Sequence, residues 1–370
     1  EPKSIKAYTM VLYAILPFYF GLLLYFLITI GHDTTILTIL GKITAMGMLH
    51  GIFGINMAHE LGHRKSKLDQ FLAQLLLWSS QYTHFFIEHN RGHHKRVATP
   101  EDPATARKGE NIYRFWNRSV RESFLSAWKL ENDAQIRKNK AIFRWNNDMV
   151  KYLVYQTALI AVIWSTLGTI TLFYYLSAAL FGILLLETIN YIEHYGLLRN
   201  KISDSAYERV QDIHSWNSDH LLGRYLLFEL TRHSHHHENS LKTYPELQSK
   251  EKSLQLPTGY PGMMLLSLIP PLFFKVMNKM FLLTNINKEL SMNVKCDPEK
   301  AIELREQHSS VLPGWHMNKK HWNTVQLDGN LPRGEIERMV DNSYTLVVKS
   351  LPGHVRLSLE LKYGSDIVYC

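Results

Sequence analysis

The sequence predicts a mostly helical membrane protein with a soluble C-terminal part, and three observations support this prediction. Up to about residue 280, long apolar runs alternate with charged stretches, whereas the rest has the composition of an ordinary soluble protein. Four apolar segments are long enough to cross a bilayer, which takes about 20 residues in a helix. Four histidine clusters lie where apolar segments meet polar ones. We therefore expect a multi-span helical bundle that carries a histidine-rich metal site.

The predicted spans account for most of the first half of the chain. They are Tyr8–Ile30, Ile36–Ala58, Tyr152–Thr171 and Leu172–Ile192, and a very short turn joins the last two. Leu68–Phe86 has a shorter apolar core with several polar side chains, so we predict an interfacial or buried helix there. Pro261–Phe274 is too short to span a bilayer, and we expect it to be re-entrant or to lie on the surface.

The order of the spans places all histidine clusters on one face of the membrane. If the N-terminus is inside, the second span returns to that side at His59 and the fourth returns at His194. The same side receives residues 95–144, which contain twelve Lys and Arg against six Asp and Glu. Because positively charged loops stay in the cytoplasm, this face is predicted to be cytoplasmic.

The histidine clusters have the spacing of metal ligands. They are His59–His63 (HELGH), Glu88–His94 (EHNRGHH), Glu193–Gly196 (EHYG) and Arg232–His237 (RHSHHH). In three of them histidines lie four residues apart, which places both imidazoles on one face of a helix. Neutral imidazole binds iron, copper and zinc. Nine or ten converging histidines exceed the three or four ligands of one zinc ion, so the pattern indicates more than one metal ion.

Charge and cysteine content exclude some classes of protein. The net charge is +8, but Lys and Arg are concentrated beside apolar segments, which favours contact with a lipid bilayer over nucleic acid. The two cysteines, Cys296 and Cys370, form neither a disulfide framework nor a CxxC metal motif, as expected in a reducing compartment. The chain begins with glutamate and without a signal peptide, so residue 1 is not expected to be the native start.

One cluster considered alone has a different interpretation. His59–His63 matches the HExxH signature of zinc proteases, in which Glu60 would be the general base. An intramembrane metalloprotease is therefore an alternative enzyme class, although it leaves the three other clusters unexplained. A single cluster is also compatible with a solvated polar end of a helix, but four on one face are not.

Several polar residues near the clusters are predicted to position the ligands without binding metal themselves. Ionisable groups near the end of a membrane helix are costly and usually functional, and acceptors of the outer imidazole N–H fix the tautomer. Other candidates flank a cluster or a tryptophan. The full set is Glu60, His84, Glu88, Asp102, Asn190, Glu193, His214 and Asn217.

With these motifs in view, residues 8–278 resemble the membrane fatty-acid desaturase/hydroxylase superfamily, and within it the alkane 1-monooxygenases. The resemblance is carried by Asn56–His63 (NMAHELGH), Thr99–Arg107 (TPEDPATAR), Asn190–Gly196 (NYIEHYG), His214–Ser218 (HSWNS) and Leu256–Pro261 (LPTGYP). Asn190–Gly196 is the stretch that distinguishes alkane hydroxylases from desaturases at large.

The resemblance implies a non-haem di-iron site on the cytoplasmic side of a bacterial-type plasma membrane. The ligands it implies are His59, His63, His89, His93, His94, His194, His233, His236 and His237. It also implies activation of O₂, hydroxylation of the terminal methyl group of a hydrocarbon, and electrons from a rubredoxin-type donor with its reductase. The chain departs from the family at His235, where an aspartate is usual, and in having two fewer helices before the first cluster. We therefore expect this chain to have impaired activity.

The tail resembles part of the YjbR-like family of small α/β domains. The matching segments are Lys279–Thr284 (KMFLLT), Lys295–Ala301 (KCDPEKA), His316–Thr324 (HMNKKHWNT) and Asp341–Val348 (DNSYTLVV). The predicted domains are therefore 1–278, the membrane monooxygenase part, and 279–370, an incomplete α/β domain whose last residues fit neither family. Trp322 with Lys319 and Lys320 could contact nucleic acid, but exposed lysines on an amphipathic domain are the better interpretation.

Two further functions remain open at this point. A desaturase, fatty-acid hydroxylase or decarboxylase of the same superfamily would use the same metal site and differ in its product. A non-catalytic membrane protein with a nucleic-acid-binding tail would bind no metal.

Overall fold

The structure is a computed structural model that describes residues 5–204, 206–250, 253–277, 282–285, 290–314 and 318–351, with isolated positions beyond. The chain forms two compact units, divided between Phe273 and Phe274. The domain boundary predicted at Asn278 lies outside the described residues, as do parts of the segments Lys279–Thr284 and His316–Thr324 and most of residues 360–370.

Helices dominate the first unit, as the sequence predicts. Their bounds are α1 Ile5–Ile30, α2 Ile36–Leu49, α3 Met57–Gly62, α4 Lys67–Ser79, α5 Phe85–Ile87, α6 His94–Arg96, α7 Ile112–Arg137, α8 Asp148–His194, α9 Leu221–Leu226, α10 His233–Glu238, α11 Tyr260–Ser267 and α12 Pro270–Met277. Two π-helical segments, His50–Asn56 and Glu88–His93, connect α2 to α3 and α5 to α6. Single turns of 3₁₀-helix lie at Asp212–His214 and Tyr244–Glu246, and the strands β1 Lys201–Ser203, β2 Ala206–Tyr207, β3 Trp216–Asn217 and β4 Leu254–Gln255 form two small two-stranded sheets.

Within the described residues, three helical stretches are long and apolar enough to cross a membrane. They are Lys6–Ile30, Ile36–Gly62 and Asp148–His194, with 25, 27 and 47 residues. At a rise of about 1.5 Å per residue, the third is long enough for two crossings. Large apolar side chains point outward from these helices, for example Phe18, which is 73% exposed, and Leu37, which is 80% exposed. Such side chains suit contact with lipid.

The chain bends sharply inside α8, at Gly168. Its backbone angles there are φ 84° and ψ 171°. The carbonyl of Tyr155 accepts a hydrogen bond from Trp78, and the hydroxyl of Tyr175 donates one to the carbonyl of Ser79. A straight helix would separate residues 155 and 175 by about 30 Å. Because both contact adjacent residues of α4, the chain must turn back on itself between them.

The break therefore occurs earlier than the turn predicted between Thr171 and Leu172. A positive φ with extended ψ is readily adopted only by glycine, so the backbone requirement fixes the turn at Gly168. Hydropathy alone could not place it, since apolar residues continue on both sides.

Close packing joins the π-helical segment His50–Asn56 to the second half of α8. A Cβ atom added to Gly182 would lie 2.6 Å from the Cβ atom of His50, and one added to Gly51 would lie 2.6 Å from the side chain of Leu185. Helices inside a membrane gain no hydrophobic free energy when they associate, so they depend on close van der Waals packing. Small residues allow this close approach. This contact lies one to two turns before the segment that carries His59.

The segments predicted to lie outside the spans are helical in part. Leu68–Phe86 contains α4, which Ser66 caps by accepting from the backbone N–H of Asp69, and then a turn through Gln81 at φ 58°. The region Pro261–Phe274 is divided between the short helices α11 and α12. Neither α4, α11 nor α12 is among the stretches long and apolar enough to cross a membrane.

The second unit contains a small antiparallel sheet. Its described strands are β5 Leu282–Asn285, β6 Ser291–Lys295, β7 Val311–Pro313 and β8 Trp322–Gln326, in the order β5-β6-β8-β7. The helices α13 Pro298–Gln307 and α14 Arg333–Lys349 accompany it. Val294, Val325 and Met339 belong to its buried core. A small α/β region after the helical unit confirms the predicted fold class.

Candidate metal centre

Five elements of the first unit bring nine buried or half-buried histidines together. His59 lies on α3 and His63 directly follows it, while the π-helical segment Glu88–His93 and α6 carry the next three. His194 is the last residue of α8, and the remaining three lie on the six-residue helix α10. The nine are His59, His63, His89, His93, His94, His194, His233, His236 and His237, and they form two groups.

The first group contains five histidines. They are His59, His63, His89, His94 and His236, and the nitrogen atoms they offer all lie within 4.8 Å of one another. The Nε2 atom of His236 lies 3.1 Å from that of His59 and 3.1 Å from that of His94. The Nε2 atom of His89 lies 3.1 Å from that of His63 and 3.0 Å from that of His94.

The second group contains four histidines, all of them buried. They are His93, His194, His233 and His237. The Nε2 atom of His233 lies 3.0 Å from that of His194 and 2.9 Å from that of His237. The Nε2 atom of His93 has no hydrogen-bond partner among the described residues, although it is buried.

The π-helical segment determines which group receives each histidine of the second cluster. The sequence predicted that His89 and His93, four residues apart, share one helical face. In a π-helix the repeat is wider, with hydrogen bonds from i to i+5, and such turns recur at functional sites. His89 is accordingly paired with His94, and His93 points to the other group. The ring centroids of His89 and His93 lie 5.2 Å apart, as expected for a shared face, although the two residues belong to different groups.

Hydrogen bonds cannot satisfy these nitrogen atoms. A ring nitrogen either donates one proton or accepts one through its single lone pair, yet His89, His94 and His236 each have two close Nε2 neighbours. Bonds of about 2.1 Å from imidazole nitrogens to one metal ion place adjacent nitrogens about 3 Å apart. The observed separations therefore fit two groups of ligands, each around a metal ion.

Burial favours the neutral form of several of these imidazoles. Desolvation is the main cause that lowers the pKa of His63 to about 3, and burial followed by neighbouring histidines lowers the pKa values of His89 and His236 well below the usual range. Neutral imidazole, with a free lone pair, is the form that binds metal.

Asp102 lies behind the second group. Its Oδ2 atom is 2.9 Å from Nδ1 of His93 and accepts a hydrogen bond of 2.6 Å from the hydroxyl of Thr105. Burial alone would raise the pKa of Asp102, but His93 and these hydrogen bonds lower it below its usual value. An acceptor at Nδ1 holds the ring proton there and leaves the lone pair on Nε2, which is the role expected of a positioning residue.

Glu60 and Glu88 are bound to arginines. Arg64 donates to Oε1 of Glu60 at 2.9 Å, and Arg96 donates to Oε1 of Glu88 at 2.5 Å. Burial raises the pKa of Glu88 to about 7 despite the opposing charge of Arg96. Neither carboxylate belongs to the two histidine groups.

Asn217 holds the helix that carries three of the histidines. Its Oδ1 atom accepts from the backbone N–H of Ser234, and its Nδ2 atom donates to the hydroxyl of the same serine at 2.6 Å. His214, by contrast, lies in a turn where its Nδ1 atom accepts from the backbone of Gln211. Its Nε2 atom is 3.4 Å from Glu208, and it belongs to neither histidine group.

The other predicted positioning residues lie at the membrane end of the site. His84 packs edge-on against Tyr82, with ring centroids 4.5 Å apart, and its Nε2 atom has no hydrogen-bond partner among the described residues. Asn190 donates a long hydrogen bond of 3.5 Å to Glu187. Glu193 lies 3.2 Å from the Nε2 atom of His233, whereas an outer N–H was the expected contact.

Sequence reasoning missed Tyr260 as a site residue. Its hydroxyl donates a hydrogen bond of 2.8 Å to Oε1 of Glu193, and both side chains are buried. The segment Leu256–Pro261 was singled out by resemblance, but nothing in its local pattern indicates a partner 67 residues away.

Comparison with known proteins is consistent with this geometry. The model of the family described as fatty acid desaturase matches residues 33–252, a range that contains all nine histidines. The chain is 41% identical over 234 residues to an alkane 1-monooxygenase of Ectopseudomonas oleovorans, covering 63% of this chain and 58% of that protein. A protein of the same name from Acinetobacter baylyi is 42% identical over 235 residues, covering 64% and 57%. The chain thus matches a little under three-fifths of the length of these relatives.

The name of a more distant relative indicates a different hydrocarbon substrate. It is the xylene/toluene monooxygenase hydroxylase component XylM of Pseudomonas putida, 29% identical over 247 residues, which covers 66% of this chain and 64% of that protein.

The second unit has separate similarities. The YjbR family model matches residues 266–346. A crystal structure of Deinococcus radiodurans protein DR2400, with a DUF419 domain, is 42% identical over 22% of this chain and 60% of that chain, with a TM-score of 0.21.

Proposed function

Because the chain belongs to the fatty acid desaturase family, we propose that it is a membrane non-haem di-iron monooxygenase that hydroxylates the terminal methyl group of medium- and long-chain alkanes. The observation that carries this proposal is the pair of histidine groups, five and four, within one buried site. Its similarity at about 41% identity to proteins named alkane 1-monooxygenase supports the substrate class.

The proposed reaction converts R–CH₃, O₂, two electrons and two protons into R–CH₂OH and water. The two iron ions, when bound by the nine histidines, would supply the electron exchange with O₂ that oxidation of an unactivated C–H bond requires. The role of the chain's own residues is to hold both ions, to bind the hydrocarbon and to exclude water.

An alkane offers no polar group, so its binding must come from apolar contact, at about 0.8 kcal/mol for each buried methylene. Residues next to the histidines provide such contact. Ile55 and Met57, just before His59, are fully buried, and the ring of Phe85 stacks on His89 with centroids 4.8 Å apart. We propose that the hydrocarbon binds close to these apolar residues.

We further propose a bacterial-type plasma membrane location with the metal site on the cytoplasmic side. The excess of Lys and Arg in residues 95–144 supports this orientation. A cytoplasmic site can receive electrons from a soluble rubredoxin-type donor and its reductase, while the spans remain open to hydrocarbon dissolved in lipid. We do not propose nucleic acid as a partner.

A related lipid oxidase, such as a desaturase, a fatty-acid hydroxylase or a decarboxylase, would share the metal site and differ in its product. The zinc protease alternative requires Glu60 as a general base beside the metal. Its carboxylate instead accepts two hydrogen bonds from Arg64, at 2.9 and 3.3 Å.

Analysis of the product tests the proposal. Cells that produce the chain together with a rubredoxin and its reductase would be supplied with octane or hexadecane, and products would be identified by gas chromatography with mass spectrometry. We expect the 1-alkanol, and we expect His93→Ala to abolish it because that imidazole belongs to the four-histidine group. His32→Ala is the matched control, since His32 is exposed in the turn between α1 and α2. An alkene as the main product, or full activity of His93→Ala, would contradict the assignment.

A further inference from the structure

The connection between α7 and α8 carries a concentration of positive charge, and we call its residues 137–146 the basic loop. The loop contains no Asp or Glu. Its four cations are all exposed, and none of them forms an ion pair with a described carboxylate, whereas Arg91 and Lys151 nearby are paired with Glu131 and Asp148. The four are Arg137, Lys138, Lys140 and Arg144.

Two exposed aromatic side chains accompany these cations. Phe143 is 78% exposed and Trp145 is 56% exposed. The ring of Trp145 packs edge-on against that of Tyr155, with centroids 5.8 Å apart, and Tyr155 lies about two turns inside α8. The carbonyl of Tyr155 also accepts a hydrogen bond of 2.8 Å from the indole of Trp78. Because tryptophan and tyrosine are enriched where a membrane helix passes through the lipid headgroups, these rings indicate that level of the bilayer.

Hydrogen bonds hold the backbone of the basic loop. Asn139 adopts a left-handed conformation with φ 52°, which asparagine tolerates better than most residues. The backbone N–H of Lys140 donates to the carbonyl of Gln135, and the side-chain amide of Gln135 donates to the carbonyl of Asn146 at 3.1 Å. The two ends of the loop are thus tied to the same residue of α7. The backbone that carries the cations is therefore preorganised for a ligand.

A local structural role does not account for all four charges. A basic residue in the last turn of a helix interacts favourably with the carbonyl end of its dipole, which explains Arg137. Lys140 and Arg144 follow that turn, and the side chain of neither donates a hydrogen bond to a described residue. Like charges so close in the chain repel one another. An anionic ligand would compensate this repulsion.

We propose that the basic loop binds the phosphate headgroups of anionic phospholipids, such as phosphatidylglycerol, while Phe143 and Trp145 contact the interfacial region of the bilayer. Clusters of Lys and Arg directly beside a membrane helix bind anionic lipid headgroups. The exposed aromatic rings favour lipid over an acidic protein as the ligand, because they lie beside the end of a candidate span. This binding would be independent of the metal centre and requires only that the chain lies in a bilayer.

Native mass spectrometry of the detergent-solubilised full chain tests this binding. Phosphatidylglycerol, phosphatidylcholine and inorganic phosphate would be titrated separately, and the bound molecules counted. We expect the unmodified chain to bind phosphatidylglycerol more tightly than the other two. Because each basic side chain beside an anionic leaflet contributes about fivefold in affinity, the double variant Lys138→Gln, Lys140→Gln should bind phosphatidylglycerol at least about tenfold more weakly.

The matched control removes the same charge elsewhere in the first unit. It is the double variant Lys201→Gln, Arg209→Gln, because both residues are exposed and lie at the small hairpin of β1 and β2. Its affinity for phosphatidylglycerol should equal that of the unmodified chain. All replaced side chains are exposed, so both variants should keep the thermal unfolding midpoint of the unmodified chain in the absence of added lipid.

Several outcomes would overturn the proposal. Equal affinity of the unmodified chain for phosphatidylglycerol and phosphatidylcholine would show that the headgroup charge is not recognised, and equal losses in both double variants would show that the loop is not the site. Inorganic phosphate bound as tightly as the lipid would assign the loop to a soluble anion. Undiminished lipid binding by the loop variant, with slower reduction by a rubredoxin-type donor, would assign it to an acidic protein. None of these measurements requires bound iron, so each outcome leaves the proposed di-iron function untouched.

Discussion

At the scale of single residues, the loop behind the second histidine group depends on one buried arginine. Arg118 donates to both oxygens of Glu110, at 2.8 Å each, and to the carbonyls of Pro103 and Thr105, at 3.0 Å each. These contacts fix the backbone around Asp102, which in turn contacts His93. The geometry of one ligand thus depends on an ion pair that does not touch the metal site.

Neutralising Glu110 should destabilise the protein. Glu110→Gln leaves the buried guanidinium of Arg118 without a charged partner, and breaking a buried pair typically costs about 3–5 kcal/mol. Glu122→Gln is the control, because Glu122 is more exposed and its contact with the same arginine is long, at 3.5 Å. Its replacement should change the free energy of unfolding by about 0.5 kcal/mol or less. Thermal unfolding of the detergent-solubilised protein measures both. Equal shifts for the two variants would argue against a special role of Glu110.

The same pair makes a prediction for pH. Burial alone would raise the pKa of Glu110, but hydrogen bonds and charge from Arg118 lower it in the folded protein. Ionised Glu110 therefore contributes its full stabilisation above the pKa that a glutamate has in the unfolded chain, about 4.3. This contribution is lost as the pH falls through the lower pKa that Glu110 has in the folded protein. The difference in melting temperature between the unmodified chain and Glu110→Gln should be constant from pH 7 to 5 and shrink below about pH 4. A difference that grows on acidification would contradict this account.

At the scale of elements, two irregularities of the helices determine the site. The π-helical segment Glu88–His93 distributes the second cluster between both histidine groups, and the break at Gly168 returns α8 so that His194 joins them. Sequence spacing predicted that the four clusters converge, because residue type and i,i+4 spacing are local properties, whereas the particular set of nine was implied by the family resemblance. It could not predict the π-helical repeat or the division into five and four, since these depend on packing between distant segments.

A substitution at Gly168 should destabilise the reversal of α8. Gly168→Ala places a side chain at φ 84° and ψ 171°, a region essentially confined to glycine, at a cost of about 1–3 kcal/mol. No heavy atom lies within 4 Å of the added Cβ, so the effect would come from backbone strain alone. Gly21→Ala in α1 is the control, because it also has open space and ordinary helical angles. Relative to the unmodified chain, we expect Gly168→Ala to lower the thermal unfolding midpoint and Gly21→Ala not to lower it. Equal midpoints for the two variants would show that the turn tolerates other residues.

At the scale of the whole molecule, the proposed membrane orientation would place the histidine site on the side of a soluble electron donor. The spans and the excess of positive charge in residues 95–144 could be predicted from composition. The contact of Glu193 with Nε2 of His233 could not, because it depends on Tyr260 from a distant helix.

Labelling of single cysteines tests the orientation. In a chain with Cys296 and Cys370 replaced by serine, cysteine would be introduced at His32 or at Lys140, both exposed positions on opposite sides of the predicted membrane. A membrane-impermeant maleimide applied to intact spheroplasts should label His32→Cys, and should label Lys140→Cys only after lysis. The reverse pattern would place the histidines on the outer face.

Metal analysis of the purified chain tests the central claim most directly, because the two histidine groups carry the whole account. We predict about two iron atoms per chain, as the two groups of donor nitrogens imply, and their loss in His93→Ala but not in His32→Ala. One zinc ion with no iron, or full iron content in His93→Ala, would contradict the proposed di-iron centre.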